Sequence, residues 1–381
     1  MRSKAITFIA AVLFIVTPAA MGATAPLDVT AKSAIVIEAA TGKVLYEKNA
    51  NDRRYPASTT KIMTLITALE MGNMNDVVTA SKAASTTEGS SLWLTEGESL
   101  SMLDMLYGIM LVSGNDATVA VAEHLAGSVP AFAQLMTDKA QAIGANHTHF
   151  TNSSGLPDVN HYTTAADMAK ITAYGYQLPL FATIVSTKEK IMPWQGQQHP
   201  RDLFNENRML WLYDGANGAK TGYTEDAGRC LVSAAKRDGV QLIAVVFDSE
   251  RMWDDSIAML NYSFKQIHSQ PIIQQGDILK TVKVVDGKDK AVLPLYAQDG
   301  VVIPVSGDDE GDFTTVVDVP DKVNAPIEEG QTVGQVKVLY QNKEVGSTNL
   351  VAHDSVEKKS LFKSLWSSVQ SLVSYMLRNF A

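Results

Sequence analysis

Strand-like stretches stand at both ends of roughly the first 250 residues, and helix-periodic segments fill the chain between them. Ser33–Glu38 and residues 43–47, joined through Ala40-Thr41-Gly42, read as a β-hairpin. Residues 230–236 and 241–247 are strand-like too, and Arg237-Asp238-Gly239 between them is a strong hairpin signal. After Pro56, residues 58–70 carry Ile62, Leu65, Ile66 and Leu69 at helical spacing, stopping near Gly72. Residues 103–110, 116–125, 130–143 and 164–174 are further helix candidates. Strands at the ends with helices between them imply an α+β domain built on an antiparallel sheet.

At 381 residues the chain is too long for one ordinary domain. Its texture changes after about Ser269. From 271 to 357, short β-branched stretches (279–285, 301–305, 314–317, 334–340) alternate with Gly, Asp and Pro turns, the pattern of a small all-β domain. That segment holds 7 Lys and Arg against 15 Asp and Glu, so it accounts for most of the formal net charge of -9. Such a charge excludes nucleic acid as a partner. The single cysteine, Cys230, precludes an intramolecular disulfide and a cysteine metal cluster.

The two termini concern location. Arg2 and Lys4, an apolar run over 5–16, then Pro18 and small residues have the order of a secretory signal, with cleavage between Gly22 and Ala25. At the other end Phe362, Leu365, Trp366, Val369, Leu372, Val373, Met376, Leu377 and Phe380 recur along one helical face. Serines fill the opposite face, with Lys358, Lys359, Lys363, Arg378 and no acid. A helix of that kind suits the plane of a membrane interface and is too polar to span. The division expected is a signal over 1–23, a catalytic domain over 24–270, a β-rich domain over 271–357 and an anchor helix over 358–381.

Ser58-Thr-Thr-Lys61 sets a hydroxyl and an amine three residues apart, on one face of a helix. A serine hydroxyl is a weak nucleophile until a neighbour takes its proton. Lysine can do so only when neutral, which requires burial or a second cation to depress a pKa of about 10.4. The S-x-x-K pattern is weak alone, since Ser233/Lys236, Ser355/Lys358 and Ser360/Lys363 share it. Ser113-Gly-Asn115 has a counterpart in Ser347-Thr-Asn349, and Lys220-Thr-Gly222 occurs once. Only Ser58/Lys61, Ser113/Asn115 and Lys220–Gly222 form the three-part series in order.

Those three motifs, with Ala57-Ser-Thr-Thr-Lys-Ile-Met-Thr, Leu111-Val-Ser-Gly-Asn-Asp-Ala and Gly218-Ala-Lys-Thr-Gly-Tyr-Thr around them, resemble the low-molecular-mass penicillin-binding proteins that act as D-alanyl-D-alanine carboxypeptidases. The appended β domain and terminal helix resemble their membrane-bound members. The resemblance implies a penicillin-binding/β-lactamase-like catalytic domain. Ser58 would attack the carbonyl between two D-alanines of a peptidoglycan stem peptide and be acylated by β-lactam antibiotics. It implies Lys61 as the base and Ser113 as a relay to the leaving amine. Asn115, Lys220, Thr221, Gly222 and Tyr223 would bind substrate, with the Ser58 and Tyr223 N–H groups as the oxyanion hole. No metal or cofactor is called for. The enzyme would act on the outer face of the cytoplasmic membrane.

Other residues are weaker candidates. Arg208 lies shortly before Lys220, where related enzymes can carry a carboxylate-binding cation, although Glu206 is the alternative occupant of that position. His161 reads as a loop or cap residue with a site-rim alternative, and Cys230 as a small buried hydrophobe. The polar stretch 84–100 reads as a candidate loop near the serine. A class A β-lactamase needs a deacylating glutamate after the second motif. Only Glu123 and Glu189 occur between Asp116 and Asn205, neither in that pattern. A D,D-endopeptidase and a non-turnover penicillin-binding sensor remain alternatives.

Overall fold

The computed structural model describes residues 27–306, 313–359, 369–371 and 373–375. The two hairpins merge into one sheet. β1 (Ser33–Glu38), β2 (Val44–Lys48), β3 (Ala216–Thr224), β4 (Gly228–Arg237) and β5 (Val240–Phe247) lie in the order β2-β1-β5-β4-β3, and every pair is antiparallel. The N-terminal hairpin therefore docks on the last strand, leaving β3 with Lys220–Gly222 at an edge. Pleating sends Ile243, Val245 and Phe247 of β5 into one core and Leu242, Ala244 and Val246 into another. A strand buried on both faces is a continuous apolar run, as residues 242–247 of β5 are in the sequence.

Helices α1 (Lys61–Met71), α2 (Met102–Leu111), α3 (Asn115–Ala126), α4 (Val129–Ile143), α5 (Ala165–Gly175) and α6 (Pro179–Ser186) contribute to the larger core, including Ile62, Met105, Val121, Met136, Met168 and Phe181. Side-chain oxygens of Ser101, Ser128 and Thr164 cap three of them, accepting from Asp104 N, Ala131 N and Asp167 N. The sequence reading did not find α6, nor α7 (Met252–Phe264), which packs on the other face of the sheet through Met259 and Leu260. In α7 the apolar positions are broken by Asp254 and Asp255, two carboxylates that favour a helix start. Buried Asp255 accepts hydrogen bonds from Thr30 N (3.1 Å), Ala31 N (3.0 Å) and Ser249 Oγ (2.7 Å), tying down the entering chain. Two ribbons, Val77–Thr79 with Ser99–Ser101 and Glu189–Met192 with Arg201–Phe204, also escape the pattern, because so few residues show no period.

An all-β domain follows. β6 (His268–Ile273) crosses the change of texture and pairs with β9 (Val301–Val305). The other strands are β7 (Ile278–Val285), β8 (Val292–Ala297), β10 (Phe313–Asp318), β11 (Lys322–Asn324), β12 (Thr332–Tyr340) and β13 (Lys343–Ala352). They form a sheet in the order β10-β12-β13-β8-β7-β11, parallel only between β7 and β11. Its core includes Leu293, Leu295, Val336, Val338 and Leu350. Lys43 Nζ donates to Ser306 Oγ, and Ser269 Oγ–H to the Asp238 carbonyl, where this domain meets the first. The segment expected to be a signal and most of that expected to be an anchor helix lie outside the described residues; 369–371 and 373–375 are helical and exposed. No helix among the described residues is long and apolar enough to cross a membrane.

Candidate active site

Ser58 does not sit in the α-helix proper but in a short 3-10 turn, Ala57–Thr60, that leads into α1. Two glycines allow that turn its place. A Cβ on Gly155, whose φ is +88°, would lie 1.8 Å from the Ala57 carbonyl oxygen. One on Gly222 would lie 2.9 Å from Ser58 N and 3.1 Å from Thr59 N, so only a glycine lets the β3 edge come this near. From behind, the turn is held by His161, which is buried rather than at the rim. Its Nδ1 accepts from Thr151 N (3.1 Å), which leaves Nε2–H to donate to Thr60 Oγ1 (2.8 Å). Burial lowers the His161 pKa to about 4, so the ring is neutral at pH 7.

Lys61 opens α1 with its side chain fully buried. Its Nζ lies 3.0 Å from Ser58 Oγ, 2.7 Å from Asn115 Oδ1 and 2.8 Å from the Ser154 carbonyl oxygen. The Asn115 assignment is secured by its Nδ2, which donates to the Glu88 carbonyl at 2.6 Å. Burial first and the Lys220 charge second hold Lys61 well below the usual lysine range. A neutral amine has two N–H groups and a lone pair. The amide and peptide oxygens can only accept, so they take the N–H groups, and the lone pair faces the Ser58 hydroxyl. The constellation can thus receive the serine proton without any other base.

Ser113 precedes α3 with φ +62°, a left-handed conformation that non-glycine residues adopt at a cost, and it is 2 % exposed. Asn115 and Asp116 open that helix, and between them they bind the polar loop. Asn115 N donates to the Ser90 carbonyl at 2.8 Å. Asp116 accepts from Ser91 Oγ (2.7 Å), Leu92 N (2.9 Å) and Leu94 N (2.9 Å). A buried ion pair of Arg201 with Glu98, 2.6 Å apart, secures the same loop, and Arg201 Nη2 also donates to the Trp93 carbonyl at 3.1 Å. Trp93 itself stands exposed at φ +61°. In the sequence this loop is only a candidate neighbour of the serine, and nothing there signals the clamp.

On the sheet side, Lys220 is also buried, and its Nζ donates to Thr221 Oγ1 at 3.4 Å. Burial lowers the Lys220 pKa to about 8, opposed by the nearby Glu206 carboxylate. Ser58, Ser90, Ser113, Glu206, Thr221, Gly222, Tyr223, Arg229, Met252 and Trp253 line one cleft of about 460 Å³. The three motifs, spread over more than 150 residues of chain, therefore meet there. Arg208 caps the short helix Met209–Leu212, exposed, with its guanidinium 5.8 Å from the Trp253 ring, while Glu206 lines the cleft. Arg229, Met252 and Trp253 were not singled out in the sequence. Arg229 is the β4 partner of Tyr223, a register visible only once strands pair. Cys230 is buried beside Gly222, its thiol pushed up to about 12 by burial and thereby inert.

An α+β domain that places a serine–lysine pair under the edge strand of an antiparallel sheet defines a serine-type acyl hydrolase of the penicillin-binding fold. The comparisons narrow that class. A family model described as D-alanyl-D-alanine carboxypeptidase matches residues 19–251, and one described as penicillin-binding protein 5, C-terminal domain, matches 268–358. The chain belongs to the D-alanyl-D-alanine carboxypeptidase family. It is 36% identical over 347 residues to D-alanyl-D-alanine carboxypeptidase DacF of Bacillus subtilis, covering 89% of each chain. To DacC of Escherichia coli it is 31% identical, over 94% of this chain and 93% of that one. Among solved structures, penicillin-binding protein 5 from Haemophilus influenzae superposes with a TM-score of 0.63 at 30% identity, covering 88% of this chain and 100% of that one. The chain is a serine-type carboxypeptidase, and the endopeptidase and sensor readings are not favoured.

Proposed function

We propose that the chain removes the terminal D-alanine from peptidoglycan stem pentapeptides, outside the cytoplasm, through an acyl-enzyme on Ser58. The single observation that carries this reading is the fully buried Lys61 Nζ, held by Asn115 Oδ1 and the Ser154 carbonyl at 3.0 Å from Ser58 Oγ. Ser58 Oγ attacks the carbonyl between the two D-alanines as its proton passes to Lys61 Nζ. The backbone N–H groups of Ser58 and Tyr223 stabilise the oxyanion, where one donor is typically worth about 3 kcal/mol. Ser113 relays the proton to the leaving nitrogen, so that the C–N bond breaks and D-alanine departs with a neutral amine and its carboxylate still ionised. Water then attacks the ester, giving up its proton to Lys61, and the Ser58 hydroxyl is restored. Asn115 hydrogen-bonds the substrate peptide. The Lys220 ammonium and the Thr221 hydroxyl receive the terminal carboxylate.

A β-lactam enters by the same route, its ring amide taking the place of the scissile bond. Residues 358–381 grip a membrane surface peripherally, once residues 1–23 have directed export. Free D-alanine released from a stem pentapeptide measures the activity directly. Ser58→Ala should abolish both that release and the penicillin adduct seen by mass spectrometry, with an unchanged circular dichroism spectrum. An adduct persisting on Ser233 or Ser355 in that variant would sink the assignment.

A further inference from the structure

Glu206 is an acid in a cleft whose chemistry calls for cations. Its backbone is held firmly: Glu206 N donates to the Leu111 carbonyl at 3.0 Å, just ahead of the second motif. Buried Asn205 on one side donates through Nδ2 to the Thr187 carbonyl (2.9 Å), and Asn207 on the other accepts from Met209 N (3.1 Å). Its side chain, by contrast, is 47% exposed and lies in the cleft with Ser58. The carboxylate Oε2 stands 3.8 Å from Lys220 Nζ and 3.4 Å from Thr221 Oγ1, which donates to it. Those two groups are the pair assigned above to the terminal carboxylate of the substrate, so the same chemical group already occupies their field.

We infer that Glu206 is a built-in competitor for the substrate's terminal carboxylate: it holds Lys220 and Thr221 in the empty cleft and must be displaced when a D-alanyl peptide binds. The inference rests on the reading of Lys220 and Thr221 as the carboxylate receptor. Glu206 thereby sets the affinity and selectivity of the cleft for peptides with a free C-terminus. It acts on the reaction through Lys220 and is a positioning residue. An uncharged peptide terminus offers no counter-charge for Lys220 and gains nothing from displacing it.

The same carboxylate offsets part of the Lys220 charge felt at Lys61. The other ionisable groups facing these amines are Asp116 behind Lys61 and His161 beyond Thr60, with Arg229 on the cleft wall. Glu206 raises the pKa of both lysines against the effect of burial. Catalysis needs Lys61 neutral and Lys220 charged, so activity rises through the first pKa and falls through the second. Removing the Glu206 charge moves both limbs toward lower pH.

The test uses the whole protein and two matched N-acylated D-Ala-D-Ala peptides, one with a free carboxylate and one with a terminal carboxamide. For Glu206→Gln the KM of the carboxylate peptide should fall about two- to fivefold, the range a partly exposed ion pair is worth. The carboxamide KM should not move, and both limbs of the kcat/KM profile should shift to lower pH. Glu206→Asp, which keeps the charge, should retain the parent pH profile. A carboxylate KM that stays put or rises in Glu206→Gln, or an equal change on both peptides, overturns the inference. Thr221→Val checks the underlying reading separately. If it weakens the carboxylate peptide no more than the carboxamide, the receptor assignment falls and the competitor role falls with it.

Discussion

Lys61 is both the most buried large side chain at the site and the one whose chemistry depends most on losing its charge. Arginine in its place would keep the charge and much of the length but cannot shed a proton near neutral pH. Lys61→Arg should therefore lower penicillin acylation by orders of magnitude, as Lys61→Ala should; near-normal acylation by the arginine variant would remove lysine from the role of base. His161 makes a separate prediction at this scale. Its folded pKa of about 4 lies below the ordinary 6.5, so the unfolded chain binds the extra proton between those values. Its contribution is fully present above pH 6.5 and is lost as pH falls toward 4, by about 3 kcal/mol at 1.36 kcal/mol per pKa unit. Urea midpoints across that range should fall steeply for the parent and more gently for His161→Gln. Equal slopes would show that the ring does not titrate on unfolding.

Among the elements, β3 and the turn before α1 work as one unit because nothing separates their backbones at Gly222. In Gly222→Ala the added methyl would meet two backbone nitrogens at 2.9 and 3.1 Å, atoms that cannot rotate aside. Overpacking of this kind costs about 1–3 kcal/mol, and here the strain falls on the serine turn. The variant should stay folded yet lose most D-alanine release, and full activity would mean that β3 has room to retreat. The clamp on the loop before α2 makes the opposite case. Asp116→Ala leaves the Leu92 and Leu94 N–H groups without their acceptor, at about 1–3 kcal/mol for each buried donor. Faster amide exchange over residues 90–95, together with a raised KM, is the expected result. Unchanged exchange there would show that the Arg201–Glu98 pair suffices alone.

For the molecule as a whole, the terminal segment and the catalytic cleft should be separable. Removing residues 358–381 should give a protein that leaves the membrane fraction and hydrolyses a small soluble peptide at the parent rate. Each basic residue near an anionic leaflet contributes about 1 kcal/mol, but the apolar face is not screened, so high salt alone should not strip the intact chain. A truncated chain that stayed on membranes, or lost activity on the soluble peptide, would show that the segment belongs to the fold.

How much of this was legible depends on whether the signal is local. Helical period exposed α1 to α5, and the Asp238-Gly239 turn exposed the β4–β5 hairpin, because spacing and turn chemistry act over a few residues. The order of Ser58/Lys61, Ser113/Asn115 and Lys220–Gly222 was likewise written in the chain, and it carried the class of chemistry. Short ribbons, acid-interrupted α7 and the partnership of Arg229 with Tyr223 were not, since they depend on neighbours far away in sequence. The same holds for the depth at which Lys61 lies, for the buried place of His161 behind the serine turn, and for the carboxylate of Glu206 beside Lys220. Residue types and their spacing determine which reaction is available; only packing sets the distances and the desolvation that pull the pKa of Lys61 below the usual lysine range.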